Sequence, residues 1–196
     1  MKILFLLFSY LFGAIPTGYV FFWISDRKDI RNFGSGSTGA TNLLRVKGWK
    51  LALPAMVIDI IKGVVPVFLA LTLFSDLKVV VLAGFLAVCG HCFPVYLKFK
   101  GGKGVATTTG VFVTLAFKPC LISVAIFIII IAISRYVSLG SLLSALSYPF
   151  LIIIFNKGEE ILFLSIAVFV LIAARHSGNI KRLIQGTERK LGEKAK

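Results

Sequence analysis

The run GSGSTGATNLLR, residues 34–45, sets Gly34, Gly36 and Gly39 among the hydroxyls of Ser35, Ser37, Thr38 and Thr41, just after the first long apolar stretch. Residues of these types at this spacing suit an anion cradle. Glycines let successive backbone N–H groups point into one concavity, and the hydroxyls add donors. A short helix beginning near Ala40 would turn its positive end toward the same anion, with Arg45 on the side of Thr41. The three glycines fit the dinucleotide spacing G-x-G-x-x-G, and Gly34 and Gly39 fit the start of a P-loop. No strand precedes them, however, and Ala40-Thr41 stands where a P-loop needs Lys-Ser/Thr. A nucleotide is therefore not the expected ligand; a plain flexible loop is the bland alternative.

Two other stretches carry groups of the same kind. In FKGGKGVATTTG (99–110), Gly101 and Gly102 allow close backbone approach, and Lys103 would stand at the mouth of an apolar run as a movable point charge. Lys98 and Lys100 read better as interfacial lysines. In RHSGNIKRLIQGTERK (175–190), His176 and Asn179 are three residues apart and share a helix face. Ser141, closing VSLGS, is a weaker candidate. Asp59 and Lys62, in DIIKG, lie within an apolar run at i, i+3. Charges at that depth are costly, so the two read as a structural pair, with an ion pathway as the minority reading. The CGHC of residues 89–92 spells a thiol-exchange motif but lacks its strand–helix setting and fits poorly as a metal site. No metal or cofactor is expected.

These groups need a scaffold, and the composition says what kind. Of 196 residues, 58% are hydrophobic and 15% charged, with formal net charge +14 and mean hydropathy +0.94. Such a chain is expected to be an all-α polytopic membrane protein. The positive charge is then a topology signal and an attraction for anions; it does not indicate nucleic acid, which is not an expected partner. Apolar runs lie at 3–25, 51–74, 79–97, 105–117, 119–137, 138–155 and 161–174, giving about seven transmembrane helices, of which 105–117 and 161–174 are short. If 105–117 crosses, Lys2, Lys78, Lys118 and Lys157 share one face. Every other Lys and Arg except the mid-span Lys62 lies on the opposite face. If it is re-entrant, the charges divide almost evenly. The positive-inside rule favours the first arrangement, with the N-terminus outside and the C-terminus cytoplasmic. The expected organisation is a transmembrane catalytic domain over 1–174 and a basic cytoplasmic tail over 175–196, whose first part contributes to the site.

The segments 34–45, 90–107 (GHCFPVYLKFKGGKGVAT) and 175–190 together resemble the three motifs of the bacterial membrane acyltransferase family PlsY, the acyl-phosphate:glycerol-3-phosphate acyltransferases. DIIKG also fits the pattern, as do Gly90, His91 and Pro94, whereas the CGHC cysteines do not belong to it. Ser37 stands where the family often has Asn. The resemblance implies transfer of a fatty acyl group from acyl phosphate to the sn-1 hydroxyl of glycerol 3-phosphate, giving lysophosphatidic acid and phosphate at the bacterial plasma membrane. It implies that Ser35, Lys103 and His176 are catalytic. Gly34, Ser35, Gly36, Ser37, Thr38, Gly39, Thr41, Asn42, Gly101 and Gly102 would hold acyl phosphate. Arg45, Lys103, Ser141, His176 and Asn179 would hold glycerol 3-phosphate. No serine occupies a nucleophile elbow, so no covalent acyl-enzyme is expected. For the hydroxyl proton two acceptors stay open, His176 and a substrate phosphate oxygen; no acid near His176 in its motif orients it, Glu188 and Glu193 being far along the chain. The competing class is a membrane transporter of an anionic organophosphate, against which stand the missing internal repeat and the gathering of polar groups at one face.

Overall fold

In lipid, backbone N–H and C=O groups must be satisfied within the chain, and unbroken apolar runs do this as helices. The computed structural model describes residues 1–193, so residues 194–196 of the expected tail lie outside the described residues. Ten α-helices account for the fold: α1 (Lys2–Gly13), α2 (Thr17–Asp26), α3 (Ala40–Lys47), α4 (Trp49–Leu73), α5 (Leu77–Cys92), α6 (Val105–Leu115), α7 (Phe117–Ser134), α8 (Val137–Ile154), α9 (Glu159–Arg175) and α10 (Ser177–Ile184). The all-α, polytopic expectation holds.

The expected apolar runs all appear as helices, but their lengths differ. Five segments are long and apolar enough to cross a bilayer: Lys2–Asp26, Trp49–Leu73, Leu77–Leu97, Phe117–Ser134 and Val137–Ile154. The first contains α1 and α2, separated at Pro16, which has no N–H to continue the α1 ladder. A sixth crossing is made if α9 and α10, bent by 64°, count as one broken span. Seven crossings were expected. The difference is α6, whose 11 residues rise only about 16 Å. The chain still passes from the Lys103 loop through α6 to the start of α7, and the 18 residues of α7 return about 27 Å. α6 is thus on the order of 10 Å shorter than α7, and Gly101, Gly102 and Gly104 in the loop before it are buried. That shortness places a loop, and not a helix end, inside the bundle.

Helix pairs meet where side chains are absent. A Cβ on Gly13 would overlap the Ala87 backbone, and one on Gly90 would overlap the carbonyl of Tyr10, so α1 and α5 touch main chain to main chain. Gly63 and Gly110 do the same for α4 and α6, against Thr107 and Ile60 respectively. Lipid tails are as apolar as leucine, so such close van der Waals approach supplies cohesion that burial alone cannot. The core beside these contacts is Val67, Val111, Val168, Ile172 and the pair Phe112–Tyr148, stacked with centroids 4.1 Å apart. A second cluster, Phe22, Ile30, Leu43, Ala52 and Ala55, fixes α2, α3 and α4 beside the glycine loop. Lys2 pairs with Asp76 at 3.0 Å, tying the N-terminus to the α4–α5 turn at the end of the bundle away from that loop.

Gly110→Val tests the backbone contact. Overpacking costs typically 1–3 kcal/mol, so the variant is expected to lower the apparent melting temperature in detergent by several degrees; an unchanged melt would mean α4 and α6 have room to spare.

Candidate functional site

A cavity of about 410 Å³ opens where α3, α4, α6, α7, α8 and α9 converge. Its polar lining includes Ser35, Ser37, Thr41, Arg45, Lys103, Ser138, Ser141, His176, Asn179 and Glu188, its apolar lining Met56, Ile60, Val124, Phe127, Ile128 and Tyr148. Segments far apart in sequence thus meet at one site.

The first wall is the glycine loop and the start of α3. Asn42, buried at the first turn of α3, organises it. Its Oδ1 accepts from the Ser35 N–H at 2.8 Å, and its Nδ2 donates to the carbonyls of Phe33 (3.0 Å) and Ser37 (2.8 Å). Asn42, expected to hold ligand, spends its amide on the loop. Gly34 and Gly36 adopt φ of +62° and +71°, which side chains rarely allow. The expectation that backbone N–H groups of 34–39 all converge on an anion needs correction. Those of Ser35, Gly36 and Gly39 are taken by Asn42, by the Phe33 carbonyl and by the Ser37 hydroxyl. Donors that remain on cavity-lining residues include the Ser37 N–H, the first turn of α3 at Ala40 and Thr41, and the hydroxyls of Ser35, Ser37 and Thr41. Gly34, Gly36 and Thr38 shape the loop and do not line the cavity.

The second wall carries Lys103. Gly101 and Gly102 do not line the cavity either; they are glycines because of what they touch. A Cβ on Gly101 would overlap Pro94, and one on Gly102 would overlap the His91 imidazole. The Gly102 N–H donates to the His91 carbonyl at 3.0 Å. From the other side Arg175 donates to the Gly102 and Gly101 carbonyls at 3.1 and 3.2 Å, its guanidinium 5.1 Å from the Phe93 ring centre. These carbonyls are engaged acceptors. So held, Lys103 donates to Asn179 Oδ1 at 2.5 Å. Burial pulls the Lys103 amine down to about 8, with Glu188 working to raise it and Arg45, Arg182 and Arg175 to lower it further. It is still mostly protonated at neutral pH.

The third wall is the break between α9 and α10. His176 sits at the corner, and its Nδ1 faces the Ile172 carbonyl at 2.8 Å. That carbonyl can only accept, so Nδ1 carries the proton and Nε2 is left as an acceptor. Burial, then the Lys103 charge, lowers His176 to about 4, which keeps the ring neutral. Asn179 passes its second bond, Nδ2 to Glu188 Oε1, at 2.7 Å. Ser141 lines the cavity while donating to the Val137 carbonyl at 2.9 Å. Arg45 lines it too, with Nη2 on the Arg189 carbonyl at 3.3 Å.

Glu188, far along the chain from the His176 motif, is nevertheless part of the site. The chain turns at Gly186 (φ +67°) and brings the carboxylate back into the site, where Ser138 (3.0 Å), Asn179 (2.7 Å) and Arg182 (2.7 Å) donate to it. Burial works to raise the carboxyl, but those three bonds outweigh it and hold it below the ordinary glutamate value. Glu188 does not orient His176, whose partner is a backbone carbonyl. The strand of chain that follows is latched by Leu191 N–H to the Arg135 carbonyl (2.7 Å) and Arg135 Nη2 to the Leu191 carbonyl (3.0 Å). Asp59 and His91 also line the cavity, and neither was expected there. A clue was present in the sequence: an acid four residues before Gly63 in DIIKG, and a histidine within GHCFP.

Comparison with known proteins agrees with this arrangement. Residues 3–186 match the family model described as glycerol-3-phosphate acyltransferase. A glycerol-3-phosphate acyltransferase of Thermoanaerobacter sp. (strain X514) is 43% identical over 186 residues, covering 95% of this chain and 93% of the relative. That of Shouchella clausii (strain KSM-K16) is 43% identical over 194 residues, covering 96% and 95%. Among solved structures, PlsY, an integral membrane glycerol 3-phosphate acyltransferase, matches in its glycerol 3-phosphate form with a TM-score of 0.94 and 36% identity, over 97% of this chain and 96% of that one. Its lysophosphatidic acid form matches with a TM-score of 0.89 and 35% identity, over 98% and 96%. With near-complete coverage in sequence and in structure, the chain belongs to the PlsY family of integral membrane glycerol-3-phosphate acyltransferases, which act in phospholipid biosynthesis.

Proposed function

We propose that this chain moves a fatty acyl group from acyl phosphate to the sn-1 hydroxyl of glycerol 3-phosphate, releasing lysophosphatidic acid and phosphate without an acyl-enzyme. The observation that carries the reading is a single cavity lined both by cationic and hydroxyl-bearing side chains and by apolar ones. Two phosphorylated molecules, one with a hydrocarbon tail, suit that combination. The relatives' name supplies glycerol 3-phosphate as acceptor.

Acyl phosphate is a mixed anhydride whose phosphate leaves readily, so positioning carries most of the task. The α3 N-terminus and the Ser35 and Ser37 hydroxyls hold the departing phosphate; Thr41 faces the same space. Arg45, Ser141 and Asn179 hold glycerol 3-phosphate, and the Lys103 ammonium bridges both anions and stabilises charge growing at the carbonyl. His176 Nε2 accepts a hydrogen bond from the attacking hydroxyl and aims it. As the hydroxyl oxygen bonds to the acyl carbon, the carbon–oxygen bond to phosphate breaks. The hydroxyl proton ends on the leaving phosphate, whose second pKa of about 6 makes it a better base than a ring near 4. Support for a cytoplasmic-facing site in the bacterial inner membrane is the crowding of Lys and Arg at the end of the bundle that holds it. On this reading residues 1–174 form the transmembrane catalytic domain and 175–196 a basic cytoplasmic segment whose first part completes the site.

Purified protein in detergent, given acyl phosphate and glycerol 3-phosphate, is expected to release phosphate only when both are present. Uptake of an organophosphate into sealed vesicles without chemistry would instead make the chain a carrier.

Lys103→Ala is expected to lower kcat/KM by roughly 10²- to 10³-fold; near-normal turnover removes it from the mechanism. For His176→Ala the expected effect is a KM for glycerol 3-phosphate raised roughly tenfold, the loss of one hydrogen bond of ~1.5 kcal/mol. Collapse of turnover at saturating acceptor would make the imidazole the base.

The pH profile has a definite shape. Because the Lys103 pKa is lowered to about 8, kcat/KM should fall as pH rises through that value, where the charge is lost. An acid limb near about 6 belongs to substrate phosphate and not to His176. A limb that moves in His176→Ala would contradict this assignment.

A further inference from the structure

Beneath Lys103 a line of buried polar contacts leads away from the cavity into the bundle. Pro16 ends the α1 ladder, and the Ile15 carbonyl just before it receives the Lys62 ammonium. Lys62 also bonds Asp59 Oδ1 at 2.6 Å, with the two side chains only 1% and 2% exposed. Asp59 Oδ1 lies 3.6 Å from His91 Nδ1. The opposite edge of the same ring faces Gly102, so closely that a Cβ there would overlap Nε2. Gly102 N–H is bonded to the His91 carbonyl, and the next residue is Lys103. Main chain and ring of His91 thus bear on the glycine that immediately precedes the amine.

Ionised groups at this depth are expensive, and apolar side chains of similar volume would often hold two helices together as well or better. Cohesion alone therefore does not account for Asp59, Lys62 and His91. What they provide, and leucines would not, is one fixed ring orientation. With Nδ1 turned to Asp59, the imidazole presents a flat edge at a set height, and the Gly101–Gly102 backbone lies on it between His91 and Arg175. A rotation of the ring would lift that backbone and carry the Lys103 side chain with it.

We propose that Asp59 and His91 are positioning residues for acyl transfer: Asp59, anchored by Lys62, fixes the His91 ring, and the ring fixes the Gly102–Lys103 backbone so that the ammonium meets both phosphates. This inference rests on the acyl-transfer reading of the cavity. Misplacement of a reacting group by about 1 Å costs on the order of 10²-fold in rate, and that is the expected size of the effect.

The test compares His91→Ala, His91→Gln and Gly102→Ala as full-length protein in detergent. Three readouts are taken: the melt, phosphate release from acyl phosphate and glycerol 3-phosphate, and the pH dependence of Lys103 labelling by an amine-selective reagent, located by mass spectrometry. In His91→Ala, kcat is expected to fall roughly 10²-fold among molecules that remain folded. The labelling midpoint should move up from about 8 as the amine loses its burial and its place among Arg45, Arg182 and Arg175. His91→Gln, whose amide can also turn an N–H toward Asp59, should recover most of the rate. Gly102→Ala leaves every buried charge in place and should reproduce the loss by displacing the ring from the other side. Rates that fall only in proportion to folded protein, with the labelling midpoint unmoved, would overturn the proposal. So would wild-type turnover in Gly102→Ala, or equal losses in His91→Ala and His91→Gln. An inactive wild type would remove the acyl-transfer reading while leaving the labelling comparison to decide whether the ring positions the amine.

Discussion

An ammonium set back among helices, with more cations than anions around it, is the constraint on which the site depends. Lys103 feels the charges of Arg45, Arg175 and Arg182, and one carboxylate, Glu188, works in its favour. In a medium of low polarisability that imbalance cannot be relieved by solvent as it would be at an open surface. The attraction for phosphorylated molecules is thus present before any arrive. Each wall contributes in a different way: α3 its N-terminus and hydroxyls, the loop after α5 its lysine, and the α9–α10 corner a neutral imidazole with an amide.

Much of the polar site was legible in the sequence because glycines, hydroxyls and cations recur together in short motifs beside the apolar runs. Ser35, Ser37, Thr41, Arg45, Lys103, Ser141, His176 and Asn179 all face the cavity. Identity of residue type is less informative where one side chain can serve either the ligand or the backbone. Asn42 looks like a ligand-binding amide and instead holds three main-chain groups. Gly101 and Gly102 look like a cradle and are in fact pressed against His91 and Pro94. Glu188 could not be placed by helical spacing, since a turn at Gly186 separates it from Asn179. His91 fits the family pattern in the sequence, but its place in the cavity wall could not be read from a position inside CGHC.

The fold was legible in the same uneven way. Hydropathy marks every apolar segment but is blind to depth. That 105–117 is short was readable from the run itself; that α4 and α6 touch through Gly63 and Gly110 depends on which backbones meet. The shortness matters more than the missing turns suggest. It lets the loop carrying Lys103 enter the bundle, where His91 can support it from below and Arg175 from the side.

Met56 and Ile128 belong to the cavity wall and are 37% and 59% exposed. At that flank the cavity is bounded by accessible apolar side chains. A single-tailed product of the proposed reaction could slide sideways into the surrounding leaflet with its tail never wetted. Only its headgroup would need to cross from protein to interface, and each new molecule would be delivered to the same monolayer.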